Sequence, residues 1–171
     1  MFYLVRHGKP DYSAEGTKMF KGFGVHFSPL SEEGIQEIKE TARDERLQHA
    51  DVIVSSPYTR AMQTAAILSK ELGIDLVVEM DLYEWLANKN FIYEEGPIVT
   101  EYYQDFIAHQ GHYPEGEERV WESIESMKAR GMKVLEKYCK YDNVIVVCHG
   151  MLIQAIADVE HPKTGAIVEM K

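Results

Sequence analysis

Two arginines and two histidines follow three short apolar runs of this chain, and these four residues are the ones best suited to chemistry. Arg6 and His7 come directly after the run FYLV, and His149 follows the run VIVV. Arg60 lies shortly after a third run, VIV, near the start of a predicted helix. Ligands of open α/β sheets collect at the carboxyl ends of the strands. If the three strands are parallel neighbours, we expect the four side chains at one edge of the sheet.

These residue types indicate phosphate chemistry. The guanidinium groups of Arg6 and Arg60 can bind phosphate oxygens in a planar, bidentate way. A helix N terminus beside them would add backbone N–H donors and a favourable dipole for an anion. An imidazole among such cations is favoured in its neutral form, which is the form that a nucleophile needs. The cluster therefore predicts phosphoryl transfer to a histidine.

The elements that must position this cluster are those of one α/β domain, predicted to span residues 1–171. Strands are predicted at Phe2 to Val5, Asp51 to Ser55, Ile74 to Glu79, Asn143 to Val147 and in the C-terminal GAIVEM. Five helices are predicted. The first two run from a Ser31 cap to about Leu47 and from a serine cap within 55–57 to Gly73. The other three are a short helix around Tyr102 to Phe106, a long one from about Glu117 to Tyr138, and a short one after His149. No repeat, low-complexity tract or linker interrupts this order.

The composition is that of an ordinary soluble globular protein. The chain has 171 residues, of which 45% are hydrophobic and 27% are charged. No apolar run approaches the ~18 residues of a membrane span, and Met1 leads straight into a strand, so we expect no signal peptide. Cys139 and Cys148 have neither metal-ligand spacing nor the number for a disulfide scaffold. A cytoplasmic location is expected.

The charge balance narrows the choice of partner. The formal net charge is −10, which disfavours nucleic acid and anionic membranes as partners. A phosphorylated small molecule would have to be held by a local basic pocket that works against the overall field. We expect no metal and no cofactor, because the histidines lack paired-ligand spacing such as H-E-x-x-H.

Short motifs along the chain resemble one known family. They are RHG at 6–8, PLSEEG at 29–34, SSPYTRAMQTA at 55–65, LYEW at 82–85, GEERV at 116–120 and CHG at 148–150. With these motifs in this order, the sequence resembles the histidine phosphatase superfamily, in its phosphoglycerate-mutase-like branch. RHG alone is a weak signal, but RHG, the SSP-x-x-R-A-x-x-T-A segment and a late HG are together highly specific. The resemblance implies a three-layer α/β/α sandwich with a mainly parallel central sheet.

The resemblance also assigns roles within the cluster. It implies that His7 is the nucleophile that becomes phosphohistidine. It implies that Arg6, Arg60 and His149 bind the transferring phosphoryl group, with His149 also stabilising charge in the transition state. These roles agree with the phosphate chemistry that the residue types indicate by themselves.

A general acid comes from the resemblance alone. Glu84 would protonate the leaving oxygen, and for this a carboxyl group must stay protonated near neutral pH. The apolar side chains of Leu82, Trp85 and Leu86 could provide the surroundings that this requires.

The sequence departs from the family pattern beside the proposed catalytic set. The family often continues RHG-x-T-x-x-N, where this chain has Pro10 and Ser13. The Ser13 hydroxyl could still donate a hydrogen bond to phosphate, with a shorter reach. An Asp that is common before the PL segment is replaced by Phe27. These differences concern the groups that bind beside the phosphate.

A cysteine-based mechanism does not fit this chain. Cysteine phosphatases place an Arg at a fixed distance after the nucleophile, but Gln154 and Ile145 stand at those positions after Cys148 and Cys139. The remaining histidines show no constellation and are interpreted as surface or loop residues: His26, His49, His109, His112 and His161.

The segment 87–117 bears on the choice between a phosphatase and a mutase. A phosphoglycerate mutase must hold a carboxylate as well as a phosphate, which requires several basic residues near the site. Between Trp85 and Glu118 the only Lys or Arg is Lys89, among many acidic and aromatic residues. We therefore expect a phosphatase whose substrate is neutral, cationic or apolar beyond its phosphate. A cofactor-dependent phosphoglycerate mutase is the alternative, and a regulatory protein that binds phosphorylated ligands without turnover is a further one.

Overall fold

The centre of the fold is a five-stranded sheet, seen in a computed structural model that describes residues 1–14 and 22–171. The strands are β1 (Phe2–Arg6), β2 (Val52–Ser55), β3 (Leu76–Val78), β4 (Val144–Cys148) and β5 (Ile167–Met170). Their order in the sheet is β3-β2-β4-β1-β5. The first four strands are parallel, and β5 runs antiparallel beside β1. The expectation of a mainly parallel sheet is confirmed.

Helices cover both faces of this sheet. They are α1 (Glu32–Thr41), α2 (Thr59–Leu72), α3 (Gly96–Ala108), α4 (Ile124–Glu136) and α5 (Gly150–Ala157). Side chains of α1 and α2 pack with Val5, Ile53 and Ile145 on one face. Side chains of α4 and α5 pack with Leu4 and Val146 on the other face. The three-layer α/β/α sandwich is confirmed.

Strand β4 shows why its sequence is apolar without interruption. All five of its residues are buried, because helices cover both faces of a parallel sheet and leave neither face to water. Val144 and Val146 contribute to one core, and Ile145 and Val147 contribute to the other. This central strand is therefore a rigid support for the residues that follow it.

The register of the strands aligns the C-terminal ends of β1, β2 and β4. Val147 of β4 pairs with Val5 of β1 and with Ser55 of β2. The backbone N–H of His7 then donates to the Cys148 carbonyl at 3.0 Å, and that of Ser56 donates to the Val147 carbonyl at 2.9 Å. The residues that leave β1, β2 and β4 are thus adjacent at the carboxyl edge of the sheet.

The helix boundaries that the sequence predicts for the end of α1 and the start of α2 are wrong. Helix α1 ends at Thr41 rather than near Leu47, because Asp44 begins a separate 3-10 turn over 45–47 by accepting from the Arg46 N–H at 3.0 Å. Helix α2 begins at Thr59 after a Tyr58 cap residue that makes no side-chain cap bond. The serines before it do not cap it in the expected way.

The long helix predicted from about Glu117 begins only at Ile124. The stretch before it runs beside residues 86–89, with the Glu122 N–H donating to Leu86 and the Lys89 N–H donating to Val120. Ser123 then caps α4 by accepting from the Ser126 N–H. These tertiary hydrogen bonds take up the backbone groups that a longer helix would need.

The other elements differ from expectation mainly in length. Strand β3 is shorter than the predicted run from Ile74 to Glu79, and α3 is longer than the predicted short helix. Two further 3-10 turns, at Gly22–Phe27 and Met80–Leu82, flank the sheet edge. Within the described ranges, no helix is both long enough and apolar enough to cross a membrane.

Candidate active site

His7 and Arg60 form a direct contact at the carboxyl edge of the sheet. His7 follows β1 and is buried, and Arg60 lies in the first turn of α2. The Arg60 Nε–H donates to His7 Nε2 at 3.1 Å, and His7 Nδ1 lies 2.8 Å from the Gly8 carbonyl oxygen. Because a guanidinium group can only donate, we assign the hydrogen of the imidazole to Nδ1 and the lone pair to Nε2.

This environment keeps the His7 imidazole neutral. Burial, followed by the positive charge of Arg60, lowers the pKa of His7 to about 3. Burial disfavours a charged imidazole, and a cation in contact with it adds to that cost. At neutral pH the Nε2 atom therefore carries a lone pair, as a nucleophile must.

His149 stands beside His7 as the sequence predicts. It is fully buried at the start of α5, and its ring centroid lies 5.2 Å from that of His7. Burial and the charge of Arg60 lower its pKa well below the ordinary value. Its Nε2 atom is 2.7 Å from the Ser56 hydroxyl, whose oxygen accepts from the Tyr58 N–H. A serine oxygen can accept two hydrogen bonds, so this contact fits either tautomer of the ring, and the ring hydrogen lies on Nδ1 when the Ser56 hydroxyl donates to Nε2.

Arg6 is fixed at the same edge by the loop that follows α5. One of its terminal nitrogens donates to the Pro162 carbonyl at 2.6 Å and lies 3.4 Å from His161 Nδ1. Its Nε–H and the Nδ1 atom of His149 are buried and have no hydrogen-bond partner among the described residues. The Arg6 Nε–H can donate to an anion that enters the site, and so can His149 Nδ1 in the tautomer that carries its ring hydrogen there.

Glu84 reaches this edge from irregular chain beyond the 3-10 turn at 80–82. Its carboxylate accepts from its neighbour Trp85 N–H at 2.9 Å. It also accepts from the N–H groups of Met151 and Leu152 in the first turn of α5, at 3.4 and 3.3 Å. Glu84 and His149 therefore meet at the N terminus of α5.

Ser13 is the predicted site residue that the described contacts do not link to the others. It is exposed, and its backbone N–H donates to the Asp11 side chain at 2.8 Å. Residues 15–21, which follow it, lie outside the described part of the chain. Its role in binding phosphate stays a prediction.

Ser56 is a site residue that the sequence analysis assigned only to a helix cap. Its hydroxyl instead contacts His149, and this contact fixes the orientation of the imidazole. The signal was available, because Ser56 follows β2 at the same edge at which His7 and His149 follow their strands.

His26 and His161 lie at the rim of the site, although the sequence analysis found no constellation for either. The His26 ring stacks on Tyr58 at 4.0 Å, and Tyr58 in turn meets the edge of His149 at 5.0 Å. His161 approaches Arg6 because Gly150 has no side chain, since a Cβ atom there would collide with the His161 ring. Neither contact has a signal in the local sequence.

An aromatic cleft with two lobes opens beside Glu84. One lobe has a volume of about 310 Å³ and is lined by Phe23, His26, Phe27, Pro57, Tyr58, Met80, Tyr83 and Phe91. The other lobe has a volume of about 260 Å³ and is lined by Phe23, Val25, His26, Trp85, Leu86, Ala87, Asn88, Ile92, Tyr93, Glu94, Gly96 and Val99. Tyr83 lines one lobe and Trp85 lines the other, whereas the lining of neither lobe includes Glu84, His7 or His149.

Fold and site together describe an α/β protein with a buried histidine and arginine cluster suited to phosphoryl transfer. Comparison with known families matches residues 2–160 to the histidine phosphatase superfamily (branch 1). A protein of Hydrogenobacter thermophilus with the provisional name phosphoserine phosphatase 2 is 32% identical over 161 residues, covering 90% of this chain and 75% of that protein. An uncharacterized phosphatase of Bacillus subtilis is 30% identical over 156 residues, covering 90% and 73% respectively.

Solved structures show the same fold. A mycobacterial glucosyl-3-phosphoglycerate phosphatase superposes with a TM-score of 0.68 at 21% identity, covering 97% of this chain and 88% of that one. The chain belongs to the histidine phosphatase superfamily, in its first branch. It is a histidine-phosphatase-type phosphatase, a phosphoric monoester hydrolase.

Proposed function

We propose that this phosphatase hydrolyses monoesters of small metabolites through a phosphohistidine on His7. The observation that carries the proposal is the neutral His7 imidazole, whose Nε2 lone pair lies 3.1 Å from the Arg60 guanidinium group. A lone pair beside a fixed cation suits attack on a phosphate dianion, because the cation attracts the anion and stabilises charge on its oxygens.

The phosphoryl group would be held by Arg6, Arg60 and His149. The unpartnered Nε–H of Arg6 is one of the donors, His149 Nδ1 is another in the tautomer that carries its ring hydrogen there, and the Arg60 fork supplies more. Ser13 is proposed as a further donor, on the basis of its place in the loop after the RHG motif. Donors fixed before the substrate arrives need no reorganisation during the reaction.

In the first step, the Arg60 Nε–H turns from His7 Nε2 to a phosphate oxygen, and the freed Nε2 lone pair forms a bond to phosphorus as the ester P–O bond breaks. The leaving oxygen keeps the electron pair of that bond and takes a proton from the Glu84 carboxyl group. An incoming phosphate dianion favours the protonated form of a neighbouring carboxylate, because two adjacent negative charges repel.

In the second step, a water molecule attacks the phosphorus of the phosphohistidine. The Glu84 carboxylate takes a proton from the water, the N–P bond breaks, and its electron pair returns to His7 Nε2. Inorganic phosphate leaves and the starting state is restored. The carboxylate that accepts three backbone N–H bonds in the free protein is the form that this step needs.

A phosphatase is supported over a mutase by the cations of the segment after Glu84. Lys89 is paired with Glu118 at 2.9 Å, and Arg119 is paired with Glu117 at 2.6 Å. A cation held by a neighbouring acid is less available for the carboxylate of a phosphoglycerate. The described residues that line the two lobes of the cleft include no lysine or arginine.

The cleft supports a substrate whose organic part is uncharged and apolar or aromatic. Tyr83 and Trp85, the sequence neighbours of Glu84, each line one lobe, and we propose that the alcohol released at Glu84 leaves along one of them. Aromatic side chains stabilise such a group by burying its apolar surface. A cytoplasmic location is part of the proposal and is supported by the two free cysteines.

Two alternatives define the first experiment. Probable phosphoglycerate mutases of Enterobacter and Cronobacter are 33% and 30% identical to this chain over 82 residues, or 48% of its length. A phosphate-binding regulatory protein could use the same cluster without turnover. The experiment measures phosphate release from benzyl phosphate, phenyl phosphate, phosphoserine, 3-phosphoglycerate and a phosphopeptide, with isomerisation of 3-phosphoglycerate followed in parallel.

We expect phosphate release with the highest kcat/KM for the two aromatic esters, and unchanged activity in the presence of EDTA. Acid-labile and alkali-stable phosphate on the protein should appear during turnover. Efficient isomerisation with little release would make the protein a mutase. Binding of these compounds without release or labelling would favour the regulatory protein.

A further inference from the structure

A buried ion pair between Glu122 and Arg130 lies behind the loop that carries Glu84. Arg130 is on α4, and its side chain is 10% exposed, while that of Glu122 is 3% exposed. Arg130 donates to the Glu122 carboxylate through Nε at 2.7 Å and through a terminal nitrogen at 3.0 Å. This bidentate geometry fixes the plane of the guanidinium group.

The free edge of that guanidinium group binds the backbone on the N-terminal side of Glu84. One terminal nitrogen donates to the carbonyl oxygens of Asp81 and Tyr83, each at 2.7 Å, and the other lies 3.4 Å from the carbonyl of Glu84 itself. The guanidinium carbon also lies 3.7 Å from the centre of the Tyr83 ring. Arg130 thus holds the chain on the approach to the proposed acid.

Glu122 binds the same loop on the C-terminal side of Glu84. Its carboxylate accepts from the Leu86 N–H at 3.4 Å, and its backbone carbonyl accepts from the Trp85 indole N–H at 2.9 Å. Its own backbone N–H donates to the Leu86 carbonyl at 2.9 Å. The ion pair therefore grips the loop on both sides of the acid.

We propose that Arg130 is a positioning residue for the general acid, acting with Glu122 through the backbone of residues 81–86. The loop has no regular structure beyond the 3-10 turn at 80–82, so these side-chain bonds replace the support that a helix or strand would give. None of the described hydrogen bonds of Arg130 goes to His7 or His149. The charge of Arg130 also contributes to the lowered pKa of His149, and lysine keeps that charge, so the proposed effect of the hydrogen-bond fork passes through the place of the Glu84 carboxyl group.

This proposal rests on the role of Glu84 as general acid given under the proposed function. Esters with different leaving groups distinguish a failure of that role from a failure of the positioning role of Arg130. A protonated acid matters for an alkyl ester such as benzyl phosphate, whose alcohol is a poor leaving group. It matters little for p-nitrophenyl phosphate, whose leaving group barely needs a proton. A residue that only supports the fold would lower turnover of both esters together.

The test uses Arg130→Lys, because lysine keeps a positive charge opposite Glu122 but cannot make the same fork of hydrogen bonds. We expect kcat/KM for benzyl phosphate to fall by roughly 10-fold or more, and that for p-nitrophenyl phosphate to change by less than about 3-fold. Arg43→Lys, in an exposed ion pair with Glu40 on α1, is the matched control and should change neither.

Glu84→Gln serves as the reference. If Glu84→Gln itself lowers kcat/KM equally for both esters, the assignment of Glu84 as the acid is wrong, and the positioning role of Arg130 is wrong with it. If Glu84→Gln lowers kcat/KM mainly for benzyl phosphate but Arg130→Lys lowers it equally for both esters, the positioning role of Arg130 alone is overturned. In the double variant, the loss on benzyl phosphate should be no larger than in Glu84→Gln alone, whereas multiplied losses would contradict a shared step.

Glu122→Gln keeps the test decisive should Arg130→Lys fail to fold. It preserves side-chain volume and the backbone contacts of residue 122, while it weakens the grip on the guanidinium group. We again expect kcat/KM to fall more for benzyl phosphate than for p-nitrophenyl phosphate, by a smaller factor than in Arg130→Lys. Equal losses on both esters would overturn the proposal here as well.

Discussion

The cluster at the sheet edge and the loop that carries Glu84 are built in opposite ways. His7 and His149 follow parallel strands whose last residues, Arg6 and Cys148, are paired in register. Their separation is set by the backbone hydrogen bonds of the sheet. Glu84 lies in irregular chain and is held by side chains from residues far along the sequence. Regular structure places the proposed nucleophile, and individual side-chain contacts place the proposed acid.

This difference has a chemical consequence. The nucleophile must stay neutral and fixed throughout the reaction, and a buried sheet edge provides both conditions. The acid must give up a proton, take one back and let an alcohol pass, so it is better placed where the chain borders an open cleft. The two regions should therefore respond differently to substitution.

The largest effect is expected at the rigid region. His7→Ala should lower phosphate release by roughly 10⁴-fold or more for every ester, because it removes the nucleophile itself. The circular dichroism spectrum should stay that of the wild type. Wild-type rates in this variant would contradict a phosphohistidine mechanism.

Removal of Arg60 should have the next largest effect. Arg60→Met loses a phosphate donor in the site, and kcat/KM should fall by roughly 10³-fold for good and poor leaving groups alike. It also removes a positive charge that lowers the pKa of His7. The imidazole should therefore titrate at higher pH than in the wild type, which NMR of the His7 ring can measure. An unchanged titration would show that burial alone keeps His7 neutral.

At the loop, substitution should discriminate between substrates. Glu84→Gln should lower kcat/KM for benzyl phosphate by roughly 10²-fold and leave that for p-nitrophenyl phosphate within about 3-fold of the wild type. The measurement is steady-state phosphate release from both esters at one pH. Equal losses on the two esters would place Glu84 outside the proton transfer.

The smallest effect concerns stability in acid. Burial lowers the pKa of His26 to about 4, so the unfolded chain binds more protons than the folded one between about pH 4 and the ordinary value of 6.5. Stability from this residue is thus complete above that window and is lost as the pH falls through it. His26→Phe keeps a ring against Tyr58 and removes the titration. Between pH 7 and pH 4.5, the Tm of both proteins should fall. The fall should be smaller in His26→Phe than in the wild type, by on the order of 2–4 °C.

A control substitution makes this last comparison specific. His49→Gln changes a histidine in an exposed loop and should show the same loss of Tm in acid as the wild type. An equal loss of Tm in His26→Phe and the wild type would show that His26 adds nothing to the acid sensitivity.

Local patterns predicted the strands well and the helix ends poorly. The apolar run before Cys148 could only be a buried strand, and β4 occupies it. Helix starts depend on which partner a capping side chain finds. Ser56 bonds to His149 instead of opening α2, and residues before Ile124 bond to the acid's loop instead of extending α4. Those partners are distant in sequence, so no local pattern contains them.

The sequence by itself determined the fold class, the family, and the two arginines and two histidines that follow the strands. These properties depend on hydrophobic patterning and short motifs. The tertiary structure decided which hydrogen bonds the site makes: Ser56 on His149, His161 beside Arg6, and Arg130 behind Glu84. It also decided the aromatic walls of the cleft. Such contacts join residues that are far apart in sequence and come together only when helices pack against the sheet, so of the three only the place of Ser56 directly after β2 is marked in the sequence.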